Sequence, residues 1–293
     1  MHKAGFVNIV GNPNVGKSTL MNALVGERIS IITSKAQTTR HRIMGIVNTE
    51  DMQIVYSDTP GVLEPNYKLQ ESMLSFSRSA LIDADVLLYV TDVVEKVNKS
   101  ESFLERVRAL DIPVLLLINK IDTTDPKALD GLAQQWVELL PKAELIPISA
   151  KEKFNTDYLL KRIQELLPVS EPFYDKDALT DRPTRFFVTE IIREKILDHY
   201  DKEIPYSVEV LVEQFKESEK QINISAVIYV ERDSQKGIII GKGGLALKRV
   251  GTESRKDIEQ FLDKKVFLEL YVKVEKDWRS KERALRNFGY DNK

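Results

Sequence analysis

Gly11 to Thr19 reads Gly-Asn-Pro-Asn-Val-Gly-Lys-Ser-Thr, the pattern G-x-x-x-x-G-K-[ST], between the apolar run Phe6–Val10 and the apolar-periodic segment Leu20–Val25. Small residues in this order let successive backbone N–H groups turn inward around a phosphate while the following helix aims its positive end at it. Gly11, Asn12, Asn14, Val15, Gly16 and Thr19 then form the cradle, Lys17 reaches the β and γ phosphates, and Ser18 holds Mg²⁺. A glycine-rich turn without chemistry can carry the same letters, so the assignment rests on the motifs further along the chain.

Asp58-Thr59-Pro60-Gly61 comes directly after the apolar run Ile54–Tyr56. A carboxylate at a strand end can hold Mg²⁺, and Gly61 lets a backbone N–H approach the γ-phosphate. By itself the motif is also a common turn. Asn119-Lys120-Ile121-Asp122 follows the run Val114–Ile118. The Asp122 carboxylate can accept two hydrogen bonds from the N1–H and amino edge of guanine, a donor pair that adenine lacks. Ser149-Ala150-Lys151 follows Leu145–Ile148 and can offer a backbone N–H to guanine O6. Between the first helix and second strand, Gln37-Thr38-Thr39-Arg40-His41 supplies a hydroxyl for Mg²⁺ and the γ-phosphate. Thr39 is the favoured ligand and Thr38 its rival; Arg40 and His41 read as solvated neighbours.

Positioning these groups requires a sheet whose strand ends converge. Up to about Pro168, short apolar runs alternate with amphipathic stretches, which predicts an α/β domain with a mostly parallel sheet and helices on both faces. Helices are expected near 17–25, 68–82, 100–109, 127–140 and 154–167. Ile43–Val47 and Ile54–Tyr56 are too close for a crossover helix and predict an antiparallel hairpin at the sheet edge. Residues 169–184 carry Pro172 and Pro183 among polar residues, without apolar periodicity, and predict a linker.

From 185 to 293 the order changes to α-β-β-α-α-β, an α+β domain. A helix is expected near 186–200 with Phe187, Ile191 and Ile196 on one stripe, strands at 206–215, 222–231 and 266–273, a helix from Leu245 to Leu262 and a final helical segment from Glu275 to Tyr290. Gly241-Lys242-Gly243-Gly244 before a helix fits the G-x-x-G loop with which a KH domain clamps a single-stranded RNA backbone. Lys242, Lys248, Arg249, Arg255 and Lys256 lie where phosphates would pass. Leu247, Val250, Ile258 and Phe261 read as core, and Trp278 and Phe288 as packing residues.

Composition is compatible with both halves. The 293 residues suffice for two cores, and the absence of cysteine excludes disulfides and thiolate metal sites. The first ten residues lack a signal-peptide pattern, and no apolar run reaches the length of a membrane span, so a soluble cytoplasmic chain is expected. The chain carries a net charge of −2, but residues 231–293 hold 16 Lys and Arg against 11 Asp and Glu. A locally basic end points to a polyanion partner.

The four strand-end motifs and the switch threonines resemble the signatures of a GTPase G domain, with Lys17 and Thr39 in catalytic roles and Ser18, Thr39 and Asp58 at the metal. Joined to the GKGG loop, they make the chain similar to the Era family, bacterial GTPases with a C-terminal KH domain of the bacterial type. The resemblance implies GTP and GDP with Mg²⁺ as cofactors and slow hydrolysis. It also implies binding to the 3′ end of small-subunit ribosomal RNA during assembly of the small ribosomal subunit. A monomer and peripheral contact with the inner membrane are expected on the same grounds. Potassium-dependent relatives carry an asparagine matching Asn14, which makes K⁺ a further candidate cofactor. Two other readings compete: a scaffold that holds nucleotide without turning it over, and the Der-like GTPases. The latter carry two G domains, whereas this chain has one phosphate loop.

Overall fold

The computed structural model describes residues 1–97 and 100–290, so the last three residues of the domain expected over 185–293 lie outside it. Among the described residues the chain divides into two compact units, one of residues 1–66 and 70–181, the other of residues 67–69 and 182–290.

The first unit alternates β1 (Lys3–Val10), α1 (Lys17–Val25), β2 (Ile43–Asn48), β3 (Met52–Asp58), α2 (Lys68–Ile82, in this unit from Gln70), β4 (Val86–Asp92), α3 (Glu101–Arg108), β5 (Val114–Asn119), α4 (Pro126–Leu139), β6 (Glu144–Pro147) and α5 (Thr156–Leu166). Its sheet has the order β2-β3-β1-β4-β5-β6, parallel throughout except for the β2–β3 hairpin at the edge. The central strands are continuous apolar runs because helices cover both of their faces. Val7, Ile9, Val86, Leu88, Leu116 and Ile118 are all fully buried. Since β1, β3, β4 and β5 run the same way, the loops after them gather at one end of the sheet, where such folds place ligands. Strand ladders extend beyond the apolar runs: β1 begins at Lys3, paired with Met52, and β3 continues to Asp58, paired with Ile9. Asp58 is thus held by a sheet ladder and not by a flexible turn.

Residues 169–181, within the stretch assigned to a linker, are bonded along the first unit. Val169 bridges Lys3, Leu179 accepts from the Ile46 N–H at 2.8 Å, and the Thr180 hydroxyl donates to the Met44 carbonyl at 2.6 Å. The Gln53 side chain accepts from the N–H groups of Phe173 and Tyr174 and donates to the Tyr174 carbonyl. This strap occupies the outer edge of β2, which would otherwise expose unpaired backbone groups.

The second unit contains α6 (Thr184–His199), α7 (Ile204–Ser207), β7 (Glu209–Glu217), β8 (Ile222–Val230), α8 (Asp233–Ile240), α9 (Leu245–Leu262), β9 (Val266–Val274) and α10 (Glu282–Asn287). Its sheet has the order β7-β8-β9, antiparallel then parallel. The strand expected from 206 starts at Glu209, because Pro205 opens the short turn α7 and delays the ladder. The helix expected over 275–290 is broken into a 3₁₀ turn at Trp278–Ser280 and then α10. Burial of Trp278 fixes the break: its indole N–H donates to the Ser207 carbonyl at 2.9 Å, and its ring meets Phe288 edge-on at 5.3 Å. Around α6, Phe187 and Ile196 are buried as expected, but so are Glu190, Arg193 and Glu194. Arg193 forks onto both Glu190 oxygens at 2.8 and 2.5 Å, so its buried charge is paired. Phe261 departs from its expected core place. It is exposed on α9 and stacks at the rim against Phe187, with ring centroids 5.6 Å apart.

Candidate functional site

α1 opens on Gly16, whose φ of 96° lies in the left-handed region, and no side chain caps the helix. Its first N–H groups are therefore left for an acceptor from outside. A Cβ on Gly16 would come within 2.3 Å of Asn119 Nδ2, and one on Gly11 within 2.1 Å of the Val90 carbonyl oxygen. Both glycines are demanded by close packing of the loop on β4 and β5, quite apart from any ligand.

Three oxygens converge beside the loop. Ser18 Oγ donates to Asp58 Oδ2 at 2.7 Å and lies 2.9 Å from Thr39 Oγ1, which is 3.3 Å from the same carboxylate oxygen. Thr38 turns elsewhere, donating to the Lys35 carbonyl at 2.6 Å. Of the two neighbours, then, only Thr39 joins the trio. Asp58 Oδ1 is buried without a hydrogen-bond partner among the described residues. An all-oxygen set with one carboxylate and an unspent oxygen suits Mg²⁺, which takes few protein ligands and completes its shell with phosphate and water. Burial pushes the Asp58 carboxyl above its ordinary range, opposed by Lys17 and the Ser18 and Thr39 hydroxyls.

Lys17 is buried, and its ammonium donates to the carbonyls of Gly11 at 3.0 Å and Asn12 at 2.7 Å. Burial lowers it to about 8, against the pull of Asp58 and Glu95. A phosphate placed in the cradle would favour the charged ammonium and raise it again.

The guanine-side motifs tie into the same loop. Asn119 Nδ2 donates to the Val15 carbonyl at 2.8 Å and its Oδ1 accepts from the Ala150 N–H at 2.9 Å, which links phosphate loop and Ser-Ala-Lys motif through one side chain. Lys120, with φ of 64°, donates to the Asn14 carbonyl at 2.5 Å and to Asp92 at 2.6 Å. The Ser149 hydroxyl donates to Asp122 Oδ1 at 2.6 Å. Lys151 stays exposed, 3.4 Å from Glu152.

A cleft of about 400 Å³ is lined by Asn14, Gly16, Lys17, Ser18, Thr19, Thr39, Gly61 and Lys120. Ile31, Ile32, Thr33 and Ser34 line it too. Nothing in their local sequence marks them, because only the path of the loop after α1 brings them over the cradle. The Asn12 side chain turns to Glu95 and Ser100, while its carbonyl accepts from Lys17. Arg40 and His41 are buried, not solvated, as is Arg42, which forks onto both Asp83 oxygens at 2.7 and 2.9 Å. Apolar packing and this fork draw the segment into the unit. Val62 follows Gly61 where many GTPases place a water-orienting glutamine, and it packs in the apolar cluster with Leu74 and Phe103.

In the second unit, α8 ends at Gly241 with φ of 71°, and Gly243 and Gly244 follow at 60° and 78°. Gly244 opens α9 without a side-chain cap, and Lys242 and Lys248 are exposed beside it. A Cβ on Gly241 would press to 2.6 Å on Ala246, whereas Gly243 and Gly244 meet open space. Arg249 is exposed too and donates to Glu253 at 3.2 Å, while Glu253 lies 2.6 Å from His199. Arg255 likewise pairs with Glu259 at 2.9 Å.

Comparison with known proteins bears on both units. The sequence model of the family described as 50S ribosome-binding GTPase matches residues 6–120, and that of the KH domain matches residues 203–279. GTPase Era of Staphylococcus haemolyticus is 44% identical over 291 residues, which is 99% of this chain and 97% of that one. The chain belongs to the Era family of GTPases. Two solved Era structures agree in fold over the whole length. One is Era in complex with MgGDPNP and nucleotides 1506–1542 of 16S ribosomal RNA, with a TM-score of 0.95, 39% identity and all of both chains covered. The other is a variant of Aquifex aeolicus Era bound to GDP and aluminium fluoride, with a TM-score of 0.94, 39% identity, and 99% of this chain and 100% of that one covered. Membership in the Era family accounts for a G domain and a KH domain on one chain. Among the described residues, no helix is long and apolar enough to cross a membrane.

Proposed function

We propose that this chain is a GTP-hydrolysing switch that binds small-subunit ribosomal RNA through its KH loop and acts in assembly of the small ribosomal subunit. What supports the reading is the full-length likeness to an Era bound to both a GTP analogue and a 16S RNA fragment. The match described as 50S ribosome-binding reaches only residues 6–120, so it weighs less on the choice of RNA than a likeness spanning both units. Gly241 to Gly244 together with Lys242 and Lys248 would take the RNA backbone. The cytoplasmic face of the inner membrane as a peripheral location, and a monomeric state, belong to the proposal on family grounds.

In the G domain, Lys17 and the N–H groups opening α1 would hold the β and γ phosphates, and Asp122 with Ser149–Lys151 the guanine. Ser18, Thr39 and Asp58 would hold Mg²⁺, which when bound supplies charge neutralisation between the phosphates. Val62 cannot orient water, so turnover rests on positioning and should be slow until RNA is bound. Crosslinking the protein to cellular RNA and sequencing the adducts tests the partner: reads should concentrate at the 3′ end of the small-subunit RNA, and reads concentrated elsewhere would overturn it.

K⁺ is part of the same proposal. Asn14 is exposed, lines the cleft, and has a φ of 67°. An amide oxygen there could share a monovalent cation with the β and γ phosphates, near the charge that develops on hydrolysis. At matched ionic strength, K⁺ should speed turnover about tenfold over Na⁺. Asn14→Gly should abolish the difference while leaving GTP affinity intact. Glycine suits this test because a left-handed φ would strain alanine. Equal wild-type rates in the two salts, with RNA present, would refute the cation's role.

A further inference from the structure

We infer that Glu95 and Ser100, on the connection between β4 and α3, are positioning residues for GTP hydrolysis, acting on the phosphate loop through Asn12. The inference rests on the nucleotide site proposed above. Asn12 is buried, and both ends of its side-chain amide are spoken for: Nδ2 donates to Glu95 Oε1 and Oδ1 accepts from the Ser100 hydroxyl at 2.7 Å. The other Glu95 oxygen accepts from the Thr91 hydroxyl at 2.9 Å, which orients the carboxylate from the end of β4. The turn carrying Glu95 is itself tied down. Asp92 Oδ1 accepts from the N–H groups of Val94 at 3.0 Å and Glu95 at 2.9 Å, and its Oδ2 accepts from Lys120. Lys120 in turn reaches the Asn14 carbonyl. The phosphate loop is therefore held at two points two residues apart: at Asn12 by the connection, and at Asn14 by Lys120, which Asp92 at the end of β4 anchors.

Asn12 matters because its carbonyl, with that of Gly11, seats the Lys17 ammonium. Without the clamp, the Asn12 peptide could rotate and carry the ammonium with it. Binding would suffer little, since the N–H cradle opening α1 and the guanine contacts do not involve Glu95. The transition state would suffer more, since a displacement of about 1 Å in a charge-stabilising group costs on the order of a hundredfold in rate. A carboxylate beside a phosphate site is also unfavourable for anion binding, so its presence is not explained by affinity.

The test measures single-turnover GTP hydrolysis and GDP affinity in the full chain for Glu95→Ala, Glu95→Gln and Ser100→Ala, and for Glu95→Ala with Asn12→Ala. Glu95→Ala should lower the hydrolysis rate tenfold or more while GDP affinity changes less than threefold. Glu95→Gln keeps an acceptor for Asn12 and should recover most of the rate. Once Asn12 is alanine, Glu95→Ala should cost nothing further, the signature of residues acting as one unit. A wild-type rate for Glu95→Ala would overturn the inference, and so would the same loss on the Asn12→Ala background. Parallel loss of rate and affinity would overturn it too, by making Glu95 a fold residue. Absence of GTP turnover in the wild-type protein would instead count against the nucleotide site itself.

Discussion

Asp122→Asn is expected to weaken GTP binding by about a hundredfold and to turn the preference toward xanthosine triphosphate. The carboxylate would accept from both guanine N1–H and the exocyclic amino group, and hydrogen bonds to a charged acceptor contribute about 1.5–3 kcal/mol each. An amide accepts from N1–H but sets its own donor against the amino group, so one bond is lost and two donors face each other. Xanthine replaces that amino group with a carbonyl, which the amide can satisfy. The fold should not register the change. Asp122 is exposed, its turn is closed by backbone bonds such as the Thr123 N–H to the Lys120 carbonyl, and Ser149 retains an acceptor in the amide oxygen. Competition between fluorescent GDP and unlabelled GTP or xanthosine triphosphate reads both halves. Unchanged GTP affinity would remove Asp122 from base recognition.

The second large effect is expected in the KH unit. Gly243→Asp should reduce affinity for the small-subunit RNA 3′ end at least tenfold, because it sets a carboxylate where a phosphate would pass. Gly243 is the right position for the test. Its φ of 60° is in the left-handed region where Asp is among the least strained of non-glycine residues, and a Cβ there meets nothing within 4 Å. Gly241 would be a poor choice, since any side chain collides with Ala246 and would shift α9. Lys242→Ala should weaken RNA binding more mildly and lower the slope of log affinity against log salt by about one. Filter binding across a salt series, with thermal unfolding as a control, separates the outcomes. Wild-type RNA affinity in an intact Gly243→Asp protein would mean that RNA does not pass this loop.

The local order of residues was enough to read both folds. Alternating apolar runs specified a parallel sheet because buried strands must be apolar on both faces, and the short gap between Val47 and Ile54 left no room for a crossover. Glycine-rich motifs between elements were legible for a related reason: a backbone that must turn in the left-handed region, or approach another backbone closely, writes that need as glycine. Thus Gly11, Gly16 and Gly241 could be singled out before any contact was known, although packing against Val90, Asn119 and Ala246 proves to be part of what requires them.

Side-chain partnerships across long sequence separations were not legible. Asn12 meets Glu95, 83 residues away, and Arg42 meets Asp83, 41 away, and no period or motif records either pair. Whether Thr38 or Thr39 joins Ser18 and Asp58 depended on the path of a loop, since adjacent residues share the same neighbours in sequence but point in different directions in space. Glu253 shows the same limit: it accepts from Arg249 one helix turn away and meets His199 of a different helix, and no motif records the second contact. The sequence by itself therefore determined which elements form and which glycine turns join them, because those follow from local sterics and burial, whereas the left-handed Asn14 and Lys120 were not marked in it. Only the tertiary structure decided which polar groups spend their hydrogen bonds on each other and which remain for a ligand, because that depends on atoms brought within about 3 Å by the whole fold.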